Sequence, residues 1–557
     1  MGSKAFDDLN ESKLKEFLKI NPDLATSLGL HEPYDWQLPH GGFKRYDETR
    51  SLLNSWYTEA TGIAKQDDFT MEQTLSLKAL KSAIDVLQFS LDDYPHWKMN
   101  PDALEVPGGL LFIMLTKDYA PFDHRVSAMC SRIGRLPKHL AEFRTRFDDS
   151  RPVRAWIKMA QETAEQFPGF LHVIIESSKG RVSDSLVQDL TESVSACEEA
   201  LKEYVSWLNG LTESSTDKFA MGKRKFAKMI KIRGLGLTPD QMLKLGEKYL
   251  GEFKRERGRV AEKIAPGKGV DAAAEAVRAN CPATFEDALR ITEDVMNRAK
   301  QFIIEHDLAT VDPDAKLRVV ETPAFMAPLL PYAAMYEPSK FDKSQEGIYI
   351  VTRPKDPKDL ASHLNYASIV NTAVHEAYPG HFLQSVASDK KHWMFLMAAS
   401  GGPDTIASTP ETHEGWAHYC EKMMFDHGFE ANDAAEFEML NGAIWRACRI
   451  IADIKLAQGE TTIEEMVEWM TKETGMAQYA MEGEINRYSH TPGQALSYMI
   501  GRHLMLELKK DLEEKLGQNF NEKKFHDAVM SYGALPLNLL KEAVATELGV
   551  EPARKPL

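Results

Sequence analysis

At 557 residues, with 43% hydrophobic and 27% charged side chains, the chain has the composition of a globular protein with ample material for a large core. No run of 18 apolar residues is present to span a bilayer, which argues against a membrane partner. A formal net charge of −16 repels a phosphate backbone and argues against nucleic acid as a partner. Five scattered cysteines, Cys130, Cys197, Cys281, Cys420 and Cys448, include no Cys-x-x-Cys pair. They read as reduced, mostly buried thiols rather than a disulfide framework or a cysteine zinc ribbon. The opening Met-Gly-Ser-Lys-Ala-Phe lacks an apolar signal core, and Phe6 breaks the myristoylation pattern, so a cytoplasmic protein is expected.

Along the chain, helical periodicity dominates the first three hundred residues, as over 75–87 and 187–208, with Pro and Gly punctuating the segments. The basic run Lys223-Arg224-Lys225, followed by Lys228, Lys231 and Arg233, reads as a solvated helix face rather than a polyanion site. Ala265-Pro266-Gly267-Lys268-Gly269 is the best linker candidate. It would divide a helical lobe, 1–265, from a catalytic lobe, 266–557; one merged helical body is equally compatible. Strand character is confined to 316–321, 332–336 and 347–352, each bounded by Pro, Gly or charged residues. These predict a small sheet, within 316–352, next to the metal-binding helix of a mainly α fold. An edge strand there is a surface on which an extended peptide can pair.

The sheet is followed by His375-Glu376-Ala377-Tyr378-Pro379-Gly380-His381, which sets two imidazoles around a glutamate in the manner of a zinc hydrolase. In the ordinary motif the histidines stand four apart on one helical face, and the glutamate after the first is general base to a zinc-activated water. Here the separation is six. At about 100° per residue an unbroken helix would turn the second imidazole roughly 120° away from the first. Pro379 lacks the N–H that would bond the His375 carbonyl, and its ring clashes there. A helix broken inside its own motif, with Gly380 tolerating the irregular backbone, would swing His381 back toward His375. A chance coincidence of residues at a helix end marked by Pro-Gly is the competing reading.

Downstream, Glu414, His418 and Glu421 fall at i, i+4 and i+7 and share one helical face. Catalytic zinc takes three protein ligands and keeps one open position, and two histidines with a glutamate are an established set. Glu414 completes that set, and either His418 or Glu421 would replace it in another register. The alternative is a solvated, salt-bridging face, although Trp416, Ala417 and Tyr419 make the segment look half-buried.

Taken together, the pattern His-Glu-x-x-Pro-Gly-His, then Glu-Gly-Trp-Ala-x-Tyr-x-Glu, then Arg449-x-x-x-Asp453, then Glu484-x-x-Arg487-Tyr488 with Pro492-Gly493-Gln494-Ala495-x-x-Tyr498 resembles the family named domain of unknown function 885. Asn21-Pro22 and Ala25-Thr26-x-x-Gly29 are similar to its opening motif, so the resemblance covers nearly the whole chain. That family in turn resembles gluzincin metallopeptidases. The resemblance implies a large helical metallohydrolase body with a small sheet, one zinc ion per chain, His375, His381 and Glu414 as its ligands, and Glu376 as general base and acid.

Further roles follow from residue chemistry. Asp453 is a candidate to accept the second N–H of a ligand histidine, against a plain ion pair with Arg449 one turn earlier. His418 and Glu421 are candidates for the same supporting shell. Thr491-Pro492 reads as an N-cap with proline at the first helical position, which sets Gln494 and Tyr498 on one face of the helix that follows. Tyr498 is the first candidate for an oxyanion donor and His490 the second, with a core aromatic as the alternative for Tyr498. Arg487 could bind a substrate carboxylate through its fork or pair with Glu484 as structure. The expected activity is zinc-dependent hydrolysis of peptide bonds in short peptides, carboxypeptidase- or dipeptidase-like. The same site acting on a non-peptide amide or ester, and a non-catalytic helical metal-binding protein, are the alternatives.

Overall fold

The computed structural model describes residues 2–551 apart from 66–68, 325, 328–329, 331, 344, 389–409 and 534. Helices form where the periodicity placed them: 75–87 lies within the helix Met71–Gln88, and 187–208 within Asp184–Ser214. The helices that frame the site are α1 (Lys223–Ile232), α2 (Pro239–Ile264), α3 (Tyr366–Glu376), α4 (His381–Ala387), α5 (Glu411–Asp426), α6 (Asp433–Gln458), α7 (Gln478–His490), α8 (Ser497–Leu516) and α9 (Leu537–Glu547). Local chemistry fixes several of their ends. Thr238 and Gln241 form a capping box ahead of Pro239 at the start of α2, Asn365 accepts the Ser368 N–H at the start of α3, and Asn432 accepts the Ala435 N–H at the start of α6. Each satisfies an amide left free in a first turn.

The fold is mainly α, with one three-stranded sheet: β1 (Lys316–Glu321), β2 (Ala333–Tyr336) and β3 (Glu346–Val351), in the order β1-β3-β2. β3 is central, parallel to β1 from Lys316 opposite Glu346, and antiparallel to β2 from Ala333 opposite Val351. Because side chains alternate along a strand, β3 feeds two cores. Ile348 and Ile350 enter a cluster built by the helices between residues 105 and 214, whereas Tyr349 and Val351 enter the main cluster. A strand buried on both faces reads as a continuous apolar run, which Ile348-Tyr349-Ile350-Val351 is.

The main cluster takes residues from both sides of position 265, among them Phe17, Trp56, Met229, Trp416 and Leu540. Residues 265–269 form the turn from α2 into the helix Gly269–Arg278, and α2 packs along α6. The basic run of α1 is a solvated face in part: Lys223 pairs with Glu460 and Lys228 with Asp93. Arg233, just beyond it, is fully buried against Glu411.

Two glycines bring α5 and α8 together. A Cβ on Gly415 would lie 2.6 Å from Gly501 Cα, and one on Gly501 would lie 2.8 Å from Gly415 Cα, so the backbones touch where the helices cross. The N-cap expected at Thr491 is not formed. Thr491 closes α7, its hydroxyl donating to the Arg487 carbonyl, and α8 begins only at Ser497, after a turn. Pro492 therefore sits in a connection rather than in a first helical turn. Among the described residues, no helix is long and apolar enough to cross a membrane.

Candidate metal centre

The interrupted motif folds as its proline requires. α3 stops at Glu376, residues 377–380 turn the chain, and α4 starts at His381. Gly380 is needed for a reason beyond backbone tolerance. A Cβ there would lie 2.5 Å from the Val374 carbonyl oxygen and closer still to that of His375. The turn brings the two imidazoles edge to face, with ring centroids 4.8 Å apart.

α5 supplies the third group. The nearest ligand atoms of His375, His381 and Glu414 all lie within 4.8 Å of one another. Glu414 Oε2 is 3.3 Å from His381 Nε2 and 3.6 Å from His375 Nε2, yet it forms no regular hydrogen bond. In a tetrahedral zinc site with bonds near 2.0–2.1 Å, ligand atoms stand roughly 3.3 Å apart, so the two Glu414 contacts are close to that spacing and the three residues supply the donor chemistry of such a site. These three residues are therefore the ones that could hold a metal.

Their surroundings support the same state. Burial pulls the His381 imidazole down to about 4, with the neighbouring His413 adding to the effect, so its nitrogens are neutral and free to ligate. Burial also opposes charge on His375, but the adjacent Glu414 and Glu421 carboxylates more than reverse it and hold this ring up at about 9. A cation between Glu414 and the two imidazoles would replace that proton. Glu421 sits behind His375: its Oε1 accepts from His375 Nδ1 at 2.8 Å and from Arg446 Nη2 at 2.8 Å, and its Oε2 accepts from Asn371 Nδ2 at 2.9 Å. A carboxylate on Nδ1 fixes the tautomer that presents Nε2 forward. Glu376 follows His375 directly, lines the same cavity, and is pushed up to about 7 by burial.

A second pair flanks the cluster. His413 stacks on His381 at 4.0 Å between ring centroids. Its Nε2 is 2.6 Å from Glu337 Oε1 and its Nδ1 2.8 Å from Gln384 Oε1. Glu337 directly follows β2, so this contact ties the edge strand to α5.

The cavity measures about 510 Å³, and α6 lines it with a stripe of Glu438, Gly442, Trp445, Arg446 and Arg449. β2 also lines it, through Ala333, Ala334 and Met335. Tyr498, in the first turn of α8, lies parallel to His375 at 6.1 Å, and burial raises its phenol to about 12. Arg449 donates to Tyr488 and Glu484, and Arg487 to Glu484 and Gln494. Two guanidinium groups thus share one carboxylate.

Of the residues singled out in the sequence, the fold gathers His375, Glu376, His381, Glu414, Arg487, Gln494 and Tyr498 around this cavity, with Glu421 behind it. Three fall elsewhere. Asp453 serves neither a histidine nor Arg449; its oxygens accept the backbone N–H groups of Gly493 and Leu496, because the turn before α8 folds over it. His490 packs edge-on against His96 and Trp156 instead of entering the cavity. His418 is buried near Glu421 and Arg502, without a hydrogen bond to the cluster among the described residues. Sequence reasoning missed Arg446, Asn371 and the His413–Glu337 pair. Asn371 carried a signal, since it lies one turn before His375 on the same face. Glu337 carried none.

A largely helical body with a small sheet, holding two histidines and a glutamate around one point beside a further glutamate, is the class that fold and site define. The chain belongs to the family described as "Bacterial protein of unknown function (DUF885)", which it matches over residues 22–544. Among curated proteins, none matches it. Among solved structures it is similar to one from Shewanella oneidensis, described as a "putative lipoprotein of unknown function", at 19% identity and TM-score 0.74, covering 96% of this chain and 99% of that one. It is also similar to a "putative lipoprotein" from Colwellia psychrerythraea, at 17% identity and TM-score 0.79, covering 99% of both chains. The expectation of a cytoplasmic protein is overturned by these descriptions, since a lipoprotein is an exported, lipid-anchored class.

Proposed function

We propose that this chain is a zinc-dependent hydrolase of peptide bonds in short peptides, with one ion per chain in a centre of the gluzincin type. The observation that carries the reading is the convergence of His375, His381 and Glu414 in a cavity that also contains Glu376. A structural zinc site closes its coordination with four protein ligands and needs no base, whereas a catalytic one keeps a position open. Three ligands beside an uncommitted carboxylate match the second case.

When bound, zinc supplies Lewis-acid polarisation of a carbonyl and acidification of water. Glu376 takes the proton of the attacking water and returns it to the leaving nitrogen. The Tyr498 hydroxyl donates to the oxygen on which negative charge develops. Glu421 keeps His375 in register. Arg449 and Arg487, which among the described residues have only Glu484 between them as counter-ion, retain positive charge to hold a substrate carboxylate. This favours a carboxypeptidase- or dipeptidase-like action. β2, at the sheet edge, offers its backbone to an extended peptide.

The test combines elemental analysis with a peptide panel. Wild-type protein should carry about one zinc per chain, lost in folded His375→Ala, His381→Ala and Glu414→Ala. Glu376→Gln should keep the metal and lose hydrolysis of dipeptides with free carboxylates by about 10²-fold or more. Wild-type protein that takes no zinc on reconstitution, or a fully active Glu376→Gln variant, would sink the reading. Hydrolysis of simple esters alone would move it to the non-peptide alternative.

A further inference from the structure

A second cavity, of about 950 Å³, lies between α1, the loop 234–238, α8 and α9. Its size falls in the upper part of the roughly 300–1,000 Å³ range of small-molecule sites. The lining is mainly apolar, with Ile230, Leu237, Leu504, Leu508 and Leu537 among its walls. Such a surface gives a ligand an alkyl or aromatic body to match.

The charges around it are unevenly satisfied. Lys223 pairs with Glu460, Glu542 with Lys78 and Asp511 with Lys515, each at 2.7 Å or less. Lys541 lines the same cavity from α9, half-buried, and makes no hydrogen bond or ion pair among the described residues. Burial pulls its ammonium down to about 8, with only partial compensation from Glu507 and Asp511. Lys231 is likewise unpaired on the α1 side. Asp240 is exposed in the first turn of α2, where the helix end already favours an acidic side chain. A half-buried cation without an anion is costly, and an anionic ligand group would offset that cost.

We propose that this cavity binds an amphiphile with a carboxylate head and an alkyl body. The head sits at Lys541 and the alkyl chain lies against Leu504, Leu508 and Leu537. Charge complementarity selects the head, and the apolar walls select the body. The site is independent of the metal centre and of any hydrolysis there.

Titration calorimetry of the full chain with dodecanoate and with dodecan-1-ol, both below their aggregation concentrations, tests the assignment. Dodecanoate should saturate one site and bind about tenfold or more tightly than the alcohol, as expected for one hydrogen-bonded charge pair. Lys541→Met should weaken dodecanoate by about the same factor and leave dodecan-1-ol unchanged; Lys541→Gln carries the same test if the methionine variant does not fold. Ala227→Trp, at an exposed wall position, should weaken both ligands. Arg449→Met should weaken neither, which separates this site from capture of the carboxylate at the other cavity. The proposal is overturned if neither ligand saturates, if acid and alcohol bind wild type equally, if the preference survives both Lys541 variants, or if it disappears in Arg449→Met.

Discussion

Replacing Gly415 by alanine asks whether the α5–α8 crossing sets the geometry of the centre. Gly415 follows Glu414 directly, and its partner Gly501 lies three residues after Tyr498. The new Cβ would stand 2.4 Å from Gly501 C, 2.6 Å from Gly501 Cα and 2.8 Å from Arg502 N. Ordinary contact begins at 3.4 Å, so the backbones must separate by about 1.0 Å at the crossing. All three obstacles are backbone atoms, so no side chain can rotate away. Metal–ligand distances tolerate only about 0.2 Å, and a shift several times larger carries Glu414 out of reach of a point shared with His375 and His381. The expected result is a folded protein that has lost zinc, with a lower melting midpoint from overpacking of about 1–3 kcal/mol. Calorimetric zinc titration, with circular dichroism to confirm the helices, reads both. A folded variant with wild-type zinc affinity would refute the claim that this crossing positions the ligand.

Three further outcomes are expected. Glu421→Gln should weaken zinc by about 10–100-fold in competition with a chelator, because the His375 tautomer loses its charged partner; unchanged affinity would mean that Arg446 and Asn371 hold the ring without it. Arg449→Met should raise KM for peptides with a free carboxylate by about tenfold or more and leave their amides unaffected; equal losses on both would make Arg449 a structural partner of Glu484. His31 lies between Asp35 and Asp342, at 2.9 and 2.7 Å. Burial opposes its charge, but the two carboxylates raise it from 6.5 to about 9. A raised histidine stabilises the fold fully below its unfolded value and loses that contribution as pH climbs through the folded one. The melting-point gap between wild type and His31→Gln should therefore be widest near pH 6 and close between pH 6.5 and about 9; a gap that stays constant would contradict this.

The sheet was legible because its strands carry short β-branched and aromatic runs between breakers, and β3 matched its expected span within a residue at each end. The metal motif was legible for a different reason: Pro379 and Gly380 explain how a spacing of six can still bring two imidazoles together. What failed was the partner expected for Asp453, whereas Glu421, expected in the supporting shell, does meet His375. Asp453 and Glu421 both lie on helices near the centre, and each can accept N–H groups from a ring or from backbone. Which one receives a histidine depends on the turn 491–496, which wraps Asp453 and leaves Glu421 facing His375. The same turn defeated the helix start expected at Thr491, since proline suits a connection as well as a first turn. The His413–Glu337 contact joins the end of a strand to a helix distant in sequence, and no local period encodes it.

Gly380 closes off one route of change entirely. Every single-base substitution of a glycine codon that yields another amino acid introduces a Cβ, and at this corner that atom meets the carbonyl oxygens of Val374 and His375. No intermediate residue is available through which the position could drift. A saturation library at 380, selected for retention of the centre, should return glycine and nothing else, so a laboratory lineage seeking new metal geometries must begin from the helices around the corner.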